Sequence, residues 1–332
     1  MGDAKFDVLG IGNAIVDVIA RCDDAFLKQH AMSKGHMQLI LAAEAQALYG
    51  AMGPAVEISG GSAANTCAGI ASFGGNAAFI GRVAQDELGR IFSHDIRSIG
   101  VDFDTEPSAD GAPTARSLIL VTPDGERTMN TFLGASVELG EDELDHAKIE
   151  GAQLTYLEGY LFDPPLAQAA FHEAARLAAQ AGRQVALSLS DAFCVERHRA
   201  AFRGLIQGGV DLLFANEDEI CMLYEVEDFD KAADAVRGEC RLAALTRSAK
   251  GSVIVTPDEQ IAVEAAPVDK VVDVTGAGDL YAAGFLYGRA VGCDLKTCGK
   301  LASLAAAEVI SHLGARPETS LSALAKAQGL IR

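Results

Sequence analysis

The chain has 332 residues, 49 % of them apolar and 22 % charged, which excludes a fully disordered polypeptide. Its 27 Lys and Arg against 46 Asp and Glu leave a formal charge of −19, so acidic a surface that no nucleic-acid or membrane partner is expected. The seven cysteines form no CxxC pair, the histidines show no HExxH spacing and no long apolar stretch is free of charge, so reduced thiols, a cytoplasmic location and no structural transition metal are expected.

Short β-type runs alternate with longer Ala-rich segments. FDVLGIG (6–12) predicts a strand, and Asn13–Ala20 and Met37–Leu41 predict two more. A helix is predicted over about 62–73, a strand at AAFIGRV (77–83) and a helix over 86–99. RSLILV-TPDG-ERTMNTF (116–132) alternates on both sides of a Pro-Asp-Gly turn and predicts a hairpin. LTYLEGY (154–160), QVALSLS (184–190), VDLLFAN (210–216) and LAALTRS (242–248) predict strands, with helices over 165–181, 217–225 and 230–239. SVIVTPDEQIAVEA (252–265) predicts a second hairpin, VDKVVDV (268–274) a β-type run, and 278–313 two long helices. Runs this apolar suit parallel strands covered by helices on both faces. The expected architecture is therefore one α/β domain over 1–332. It has a large, open, mostly parallel sheet and a small β-sheet lid from discontinuous pieces at about 13–20, 36–41 and 112–133.

Four strings carry chemistry. Asp273-Val274-Thr275-Gly276-Ala277-Gly278-Asp279 opens a helix, so the backbone N–H groups of 276–279 can converge on an anion at the positive end of the helix dipole. Asp279 beside them can cap the helix or accept a proton from an alcohol attacking a phosphoryl group. Gly60-Gly61-Ser62-Ala63-Ala64-Asn65 opens another helix, where the glycines admit a ligand close to the backbone and Asn65 can bond hydroxyls; Ser62 as an N-cap is the bland alternative. Gly10-Ile11-Gly12-Asn13-Ala14-Ile15 lacks the third glycine of a dinucleotide fingerprint, but Asn13 and Asp17 are polar residues in an apolar strand. Asn216-Glu217-Asp218-Glu219 follows a strand and suits Mg²⁺ held through water, or equally an acidic helix cap. Arg247 and Lys250, after the next strand, can meet phosphates or stand as surface charges.

In this order the strings resemble the PfkB/ribokinase family of carbohydrate and nucleoside kinases. GNAIVD (12–17), GGSAANT (60–66) and YLEGYLFDPP (156–165) resemble its adenosine kinase branch. The resemblance covers nearly the whole chain and implies a ribokinase-like fold. It also implies transfer of the ATP γ-phosphoryl group, with Mg²⁺, to a primary hydroxyl: the 5′-hydroxyl of adenosine or a related purine nucleoside. The alternative acceptor is a sugar of the ribose, fructose or 2-keto-3-deoxygluconate type, the last wanting an arginine such as Arg116 or Arg127 near the acceptor. Carried across, Asp279 is the general base and the backbone of Gly276, Ala277 and Gly278 stabilises the phosphoryl group. Asn13, Asp17, Gly60, Gly61, Ser62 and Asn65 hold the acceptor, and Tyr160 or Phe162 stacks on its base. Asn216 and Glu219 organise Mg²⁺, while Thr246, Lys250, Gly251 and Thr275 line the nucleotide. Some relatives place K⁺ by the carbonyls of Asp273 and Thr275. A monomer and a homodimer both fit the resemblance.

Overall fold

The computed structural model describes residues 4–332. Its strands are β1 (Phe6–Ile11), β2 (Ile15–Arg21), β3 (Met37–Leu39), β4 (Ala55–Gly60), β5 (Ala77–Ile80), β6 (Ala115–Val121), β7 (Arg127–Phe132), β8 (Ala152–Glu158), β9 (Gln184–Ser188), β10 (Leu212–Asn216), β11 (Leu242–Thr246), β12 (Ser252–Val255) and β13 (Gln260–Val263). Its helices are α1 (Asp24–Gln29), α2 (Ala42–Ala51), α3 (Ser62–Ser72), α4 (Glu87–Ser98), α5 (His146–Gly151), α6 (Pro165–Gln180), α7 (Ala192–Gly209), α8 (Glu217–Tyr224), α9 (Phe229–Arg237), α10 (Ala277–Ala290), α11 (Leu295–Val309) and α12 (Leu321–Ala327).

The large sheet runs β13-β12-β11-β10-β9-β8-β1-β5. Six of its strands are parallel, and the hairpin β12–β13 adds an antiparallel edge. Helices cover both faces, so two apolar cores form. Val8, Phe79 and Phe285 are buried on one side, and Leu9, Ile11, Phe162 and Phe171 on the other. The near-continuous apolar strands follow from this double burial. Parallel pairing also aligns the C-terminal ends of β1, β8, β10 and β11 along one edge, where α/β sheets bind ligands.

The small sheet runs β3-β7-β6-β2-β4. It contains the expected pieces and one more strand. That strand is β4, and Gly60, read from sequence as part of a helix start, is its last residue and pairs with Ile15 of β2. The chain therefore crosses between sheets twice close together, at Gly12–Ala14 leaving β1 and at Gly61 entering α3. Gly61 has φ 101°, and a Cβ there would lie 2.1 Å from the Asn13 carbonyl oxygen. Only glycine lets the two crossings pack.

One expected strand is absent. VDKVVDV forms no ladder, since β13 already occupies that edge of the large sheet. The segment returns over α11, its Val272 N–H donating to the Ile310 carbonyl at 2.8 Å. Val271, Val272 and Val274 are left exposed. Sequence periodicity also passed over α1, α2, α5, α7 and α12.

Candidate active site

Two helix N-termini meet at the site. Helices α3 and α10 pack with Gly69 against Leu280 and Ala283, where a Cβ would come within 2.6 Å of both side chains. That approach brings Asp279, in the first turn of α10, to the first turn of α3. The Ser62 hydroxyl donates to Asp279 Oδ1 at 2.6 Å, and Asn65 Nδ2 donates to Oδ2 at 3.0 Å. Thr66 Oγ1 donates to the Asp279 carbonyl at 3.1 Å. Burial raises the Asp279 carboxyl above its ordinary value, opposed by the Ser62 and Asn65 bonds and the charge of Arg316. Ser62 is not a cap. Gly61 holds the N-cap position, and the hydroxyl is spent on the facing helix.

Gly276, at φ 77°, turns the chain into α10. The N–H groups of Gly276, Gly278 and Asp279 have no acceptor among the described residues. The Ala277 N–H differs from the expected convergence, because it closes a turn onto the Val274 carbonyl at 3.2 Å. Gly278 is exposed, with nothing within 4 Å of where a Cβ would stand. This helix end leaves three N–H donors open, an arrangement that can receive an anion.

Asp273 anchors the preceding loop. Its Oδ1 accepts from Thr275 N at 3.0 Å and Thr275 Oγ1 at 2.7 Å, and its Oδ2 accepts from Gly314 N at 3.0 Å and is paired with Arg127 of β7. Burial would raise this carboxyl, but those bonds and the Arg127 charge hold it below its ordinary value.

Asp17 lies on β2, in register with Ser117 and Ile58. Its carboxylate accepts no hydrogen bond among the described residues. Burial pushes it up to about 6, against Arg127 and Arg316, with Asp279 adding to the rise. Gly60 leaves that carboxylate its place, since a Cβ there would stand 2.6 Å from Asp17 Oδ2 and displace the side chain. Asn13 is placed differently from its expected partner role. It is 1 % exposed, donates to Glu158 Oε1 at 2.7 Å and accepts from Ser136 Oγ at 2.9 Å. Glu158 also accepts from Ala63 N at 2.8 Å, and burial pushes it up to about 7 against these two donors.

The two aromatic candidates separate clearly. Phe162 is fully buried and stacked on Phe202 with centroids 4.5 Å apart, so it belongs to the core. Tyr160 is 42 % exposed as a whole, and partial desolvation of its phenol, with the carboxylates of Asp191, Asp279, Glu219 and Glu158, raises that group. The two lid arginines lie apart, Arg116 turned away from Asp17 and Arg127 acting on it. Arg116 registers with Val16 and Phe132, on the face of the small sheet opposite Asp17, and lies over the Phe132 ring. Arg127 is paired with Asp273.

On the other side of the sheet edge, Asn216 and Thr246 are direct partners across β10 and β11. Asn216 caps α8 in a reciprocal box. It accepts from Glu219 N at 2.8 Å, while its own N–H and Nδ2 donate to the Glu219 carboxylate at 2.9 and 2.6 Å. Glu219 is 6 % exposed, and burial pushes it up to about 7. Among the described residues no cluster of three or more His, Cys, Asp or Glu side chains could hold a metal. One carboxylate and one amide still suit Mg²⁺, which keeps waters and takes remaining ligands from phosphates. The cations are engaged: Arg247 makes a bidentate pair with Glu217 at 2.9 and 3.1 Å, and Lys250 lies 3.5 Å from Glu217. Gly251, at φ 81°, turns the chain into β12.

Arg316 carries no sequence signal. It follows α11 in the turn Gly314-Ala315-Arg316, and Ala315 packs so closely on Gly276 that a Cβ there would lie 2.8 Å from its Cα. Arg316 Nε donates to Asn65 Oδ1 at 3.1 Å.

The pattern of the pfkB family carbohydrate kinases matches residues 30–321. The chain is similar to the structure of an adenosine kinase from Sinorhizobium meliloti, at 55 % identity and TM-score 0.90, over 98 % of this chain and 100 % of that one. It is similar to a probable sugar kinase protein from Rhizobium etli CFN 42, at 52 % identity and TM-score 0.91, over 99 % and 100 %. An ATP-dependent ribose-1-phosphate kinase from Halopiger xanaduensis shares 30 % identity over 80 % of this chain and 85 % of its own. With this sheet order, this cradle and these likenesses, the chain belongs to the pfkB family of carbohydrate kinases and has the ribokinase-like fold.

Proposed function

We propose that this chain is an ATP-dependent kinase that phosphorylates the 5′-hydroxyl of a purine ribonucleoside, adenosine being the preferred acceptor. The observation that carries the reaction type is the Asp279 carboxylate, held by Ser62 and Asn65 beside the free N–H groups of Gly276, Gly278 and Asp279. The acceptor class is supported by the likeness to the Sinorhizobium meliloti adenosine kinase and by Tyr160, an exposed ring at the cleft that suits a planar base.

In this mechanism the acceptor hydroxyl loses its proton to Asp279. Its oxygen forms a bond to the γ-phosphorus while the bond to the β–γ bridging oxygen breaks, and ADP leaves. The cradle N–H groups face the charge on the transferring group. Asp17, without a partner of its own, accepts from ribose hydroxyls. Asn13 acts through Glu158 in shaping the crossing rather than by touching substrate. Asn216 and Glu219 would hold Mg²⁺ through water, and the ion would supply positive charge against the phosphates. Thr246 and Gly251 line the nucleotide, with Lys250 at the rim and Thr275 fixing the cradle loop. The small sheet serves as a lid over the acceptor. A monovalent cation has no part in this reading.

A coupled ADP-release assay with adenosine, ribose, ribose 1-phosphate, fructose and 2-keto-3-deoxygluconate tests it. Adenosine should give the highest kcat/KM by about a hundredfold or more, the scale of several site contacts. Asp279→Ala should abolish turnover while ATP still binds. Turnover of a sugar without turnover of adenosine overturns the acceptor assignment, and an active Asp279→Ala overturns the mechanism.

A further inference from the structure

The Arg316 guanidinium touches Asn65 rather than the carboxylate it faces. Nε donates to Asn65 Oδ1 at 3.1 Å, and Nη1 lies 4.0 Å from Asp95 Oδ2. Nη2 is buried with no acceptor among the described residues. Such an unmet N–H on a buried cation is destabilising, so this arginine is poorly explained as a stability element. Its contact has one clear consequence. Arginine only donates, so Asn65 must turn its oxygen toward Arg316 and therefore its NH₂ toward Asp279 Oδ2. A flipped amide would set NH₂ against guanidinium and oxygen against carboxylate, two repulsive contacts at once.

We propose that Arg316 is a positioning residue for phosphoryl transfer, locking the Asn65 amide so that it orients Asp279. The inference rests on the reading of Asp279 as the base. The groups that face that carboxylate are Ser62 and Asn65 on α3, Asp17 on β2, Tyr156 and Glu158 on β8, and Tyr160 in the turn that follows, while Asp95 on α4 and Cys67 on α3 face Arg316. Arg127 is paired with Asp273, and Lys148 is held by Asp102 and Asp104. Arg316 is thus the cation acting on Asp279 itself. The Asp279 charge raises Asp17 and Glu158 in turn, so without Arg316 these like charges push Asp279 toward its protonated form.

The test compares wild type, Arg316→Met, Arg316→Lys and Asp279→Ala with adenosine and MgATP across pH 5–9. Arg316→Met is expected to lower kcat about tenfold or more and move the acid limb of kcat upward by about one pH unit, with KM for ATP unchanged and Tm equal to or above wild type. Arg316→Lys, which keeps the charge but not the planar Nε donor, is expected to restore the acid limb and not the full kcat. Arg316→Met with wild-type kcat and an unmoved acid limb overturns the inference if Asp279→Ala is inactive. Should Asp279→Ala turn over normally, the base assignment itself falls, and with it this role for Arg316. A lowered Tm in Arg316→Met that accounts for the whole loss of activity, with no shift of the limb in either variant, also overturns it.

Discussion

Ser62 and Asp279 stand 217 positions apart in sequence and 2.6 Å apart in space, joined by a hydroxyl-to-carboxylate hydrogen bond between the first turns of two helices. The bond exists because α3 and α10 approach through Gly69, and it leaves the Asp279 carboxylate with a fixed direction. Ser62→Ala removes one charge-assisted bond, worth ~1.5–3 kcal/mol, and leaves Asn65 in place. The expected result is a kcat about tenfold lower with KM for ATP unchanged, measured by steady-state kinetics. An unchanged kcat would show that Asn65 alone orients the base.

Gly61 is set by geometry rather than by chemistry. Its φ of 101° and the 2.1 Å approach to the Asn13 carbonyl leave no room for a methyl group. Gly61→Ala is expected to destabilise by about 3 kcal/mol or more, seen as a lower urea midpoint with an unchanged slope. Gly74, also at positive φ but with open space around it, is a control in which the backbone strain acts alone.

Asp17 should trade stability for binding. Burial raises it to about 6, above the ordinary carboxylate value near 4. The folded state therefore holds more protons than the unfolded chain between about pH 4 and 6, and stability falls as pH rises through that window. The cost is fully present above pH 6 and absent below pH 4. Asp17→Asn should melt above wild type at pH 8, by the equivalent of ~1–2 kcal/mol after allowing for solvent contact, and match it below pH 4. The same variant should raise KM for the acceptor. A melting difference independent of pH would locate the effect elsewhere.

Arg127 joins the small sheet to the cradle loop. Its pair with Asp273 is buried, the side chains being 8 % and 6 % exposed. Arg127→Met leaves the Asp273 charge in place without its cation, and breaking such a pair costs ~3–5 kcal/mol. The expected signature is a lower Tm with faster amide exchange in β6 and β7, while exchange in β9 and β10 is unchanged. A double-mutant cycle with Asp273→Asn isolates the coupling between the two residues.

The sequence alone determined the α/β class, the order of most elements and the two glycine-rich helix starts, because these depend on local periodicity and on residues with few allowed conformations. It could not separate Tyr160 from Phe162, two aromatics in one turn, since burial against Phe202 is set by α7, a helix the periodicity did not show. It read VDKVVDV as a strand because β propensity is local, while an available ladder partner is not. It also left open whether Arg247 and Lys250 were free, and only packing set Glu217 beside them. Arg316, in a turn without periodicity or motif, acquires its relation to Asn65 across 251 positions. Local order follows from what each residue can do with its neighbours. The partners of a charged side chain are decided by which distant segments the folded core brings against it.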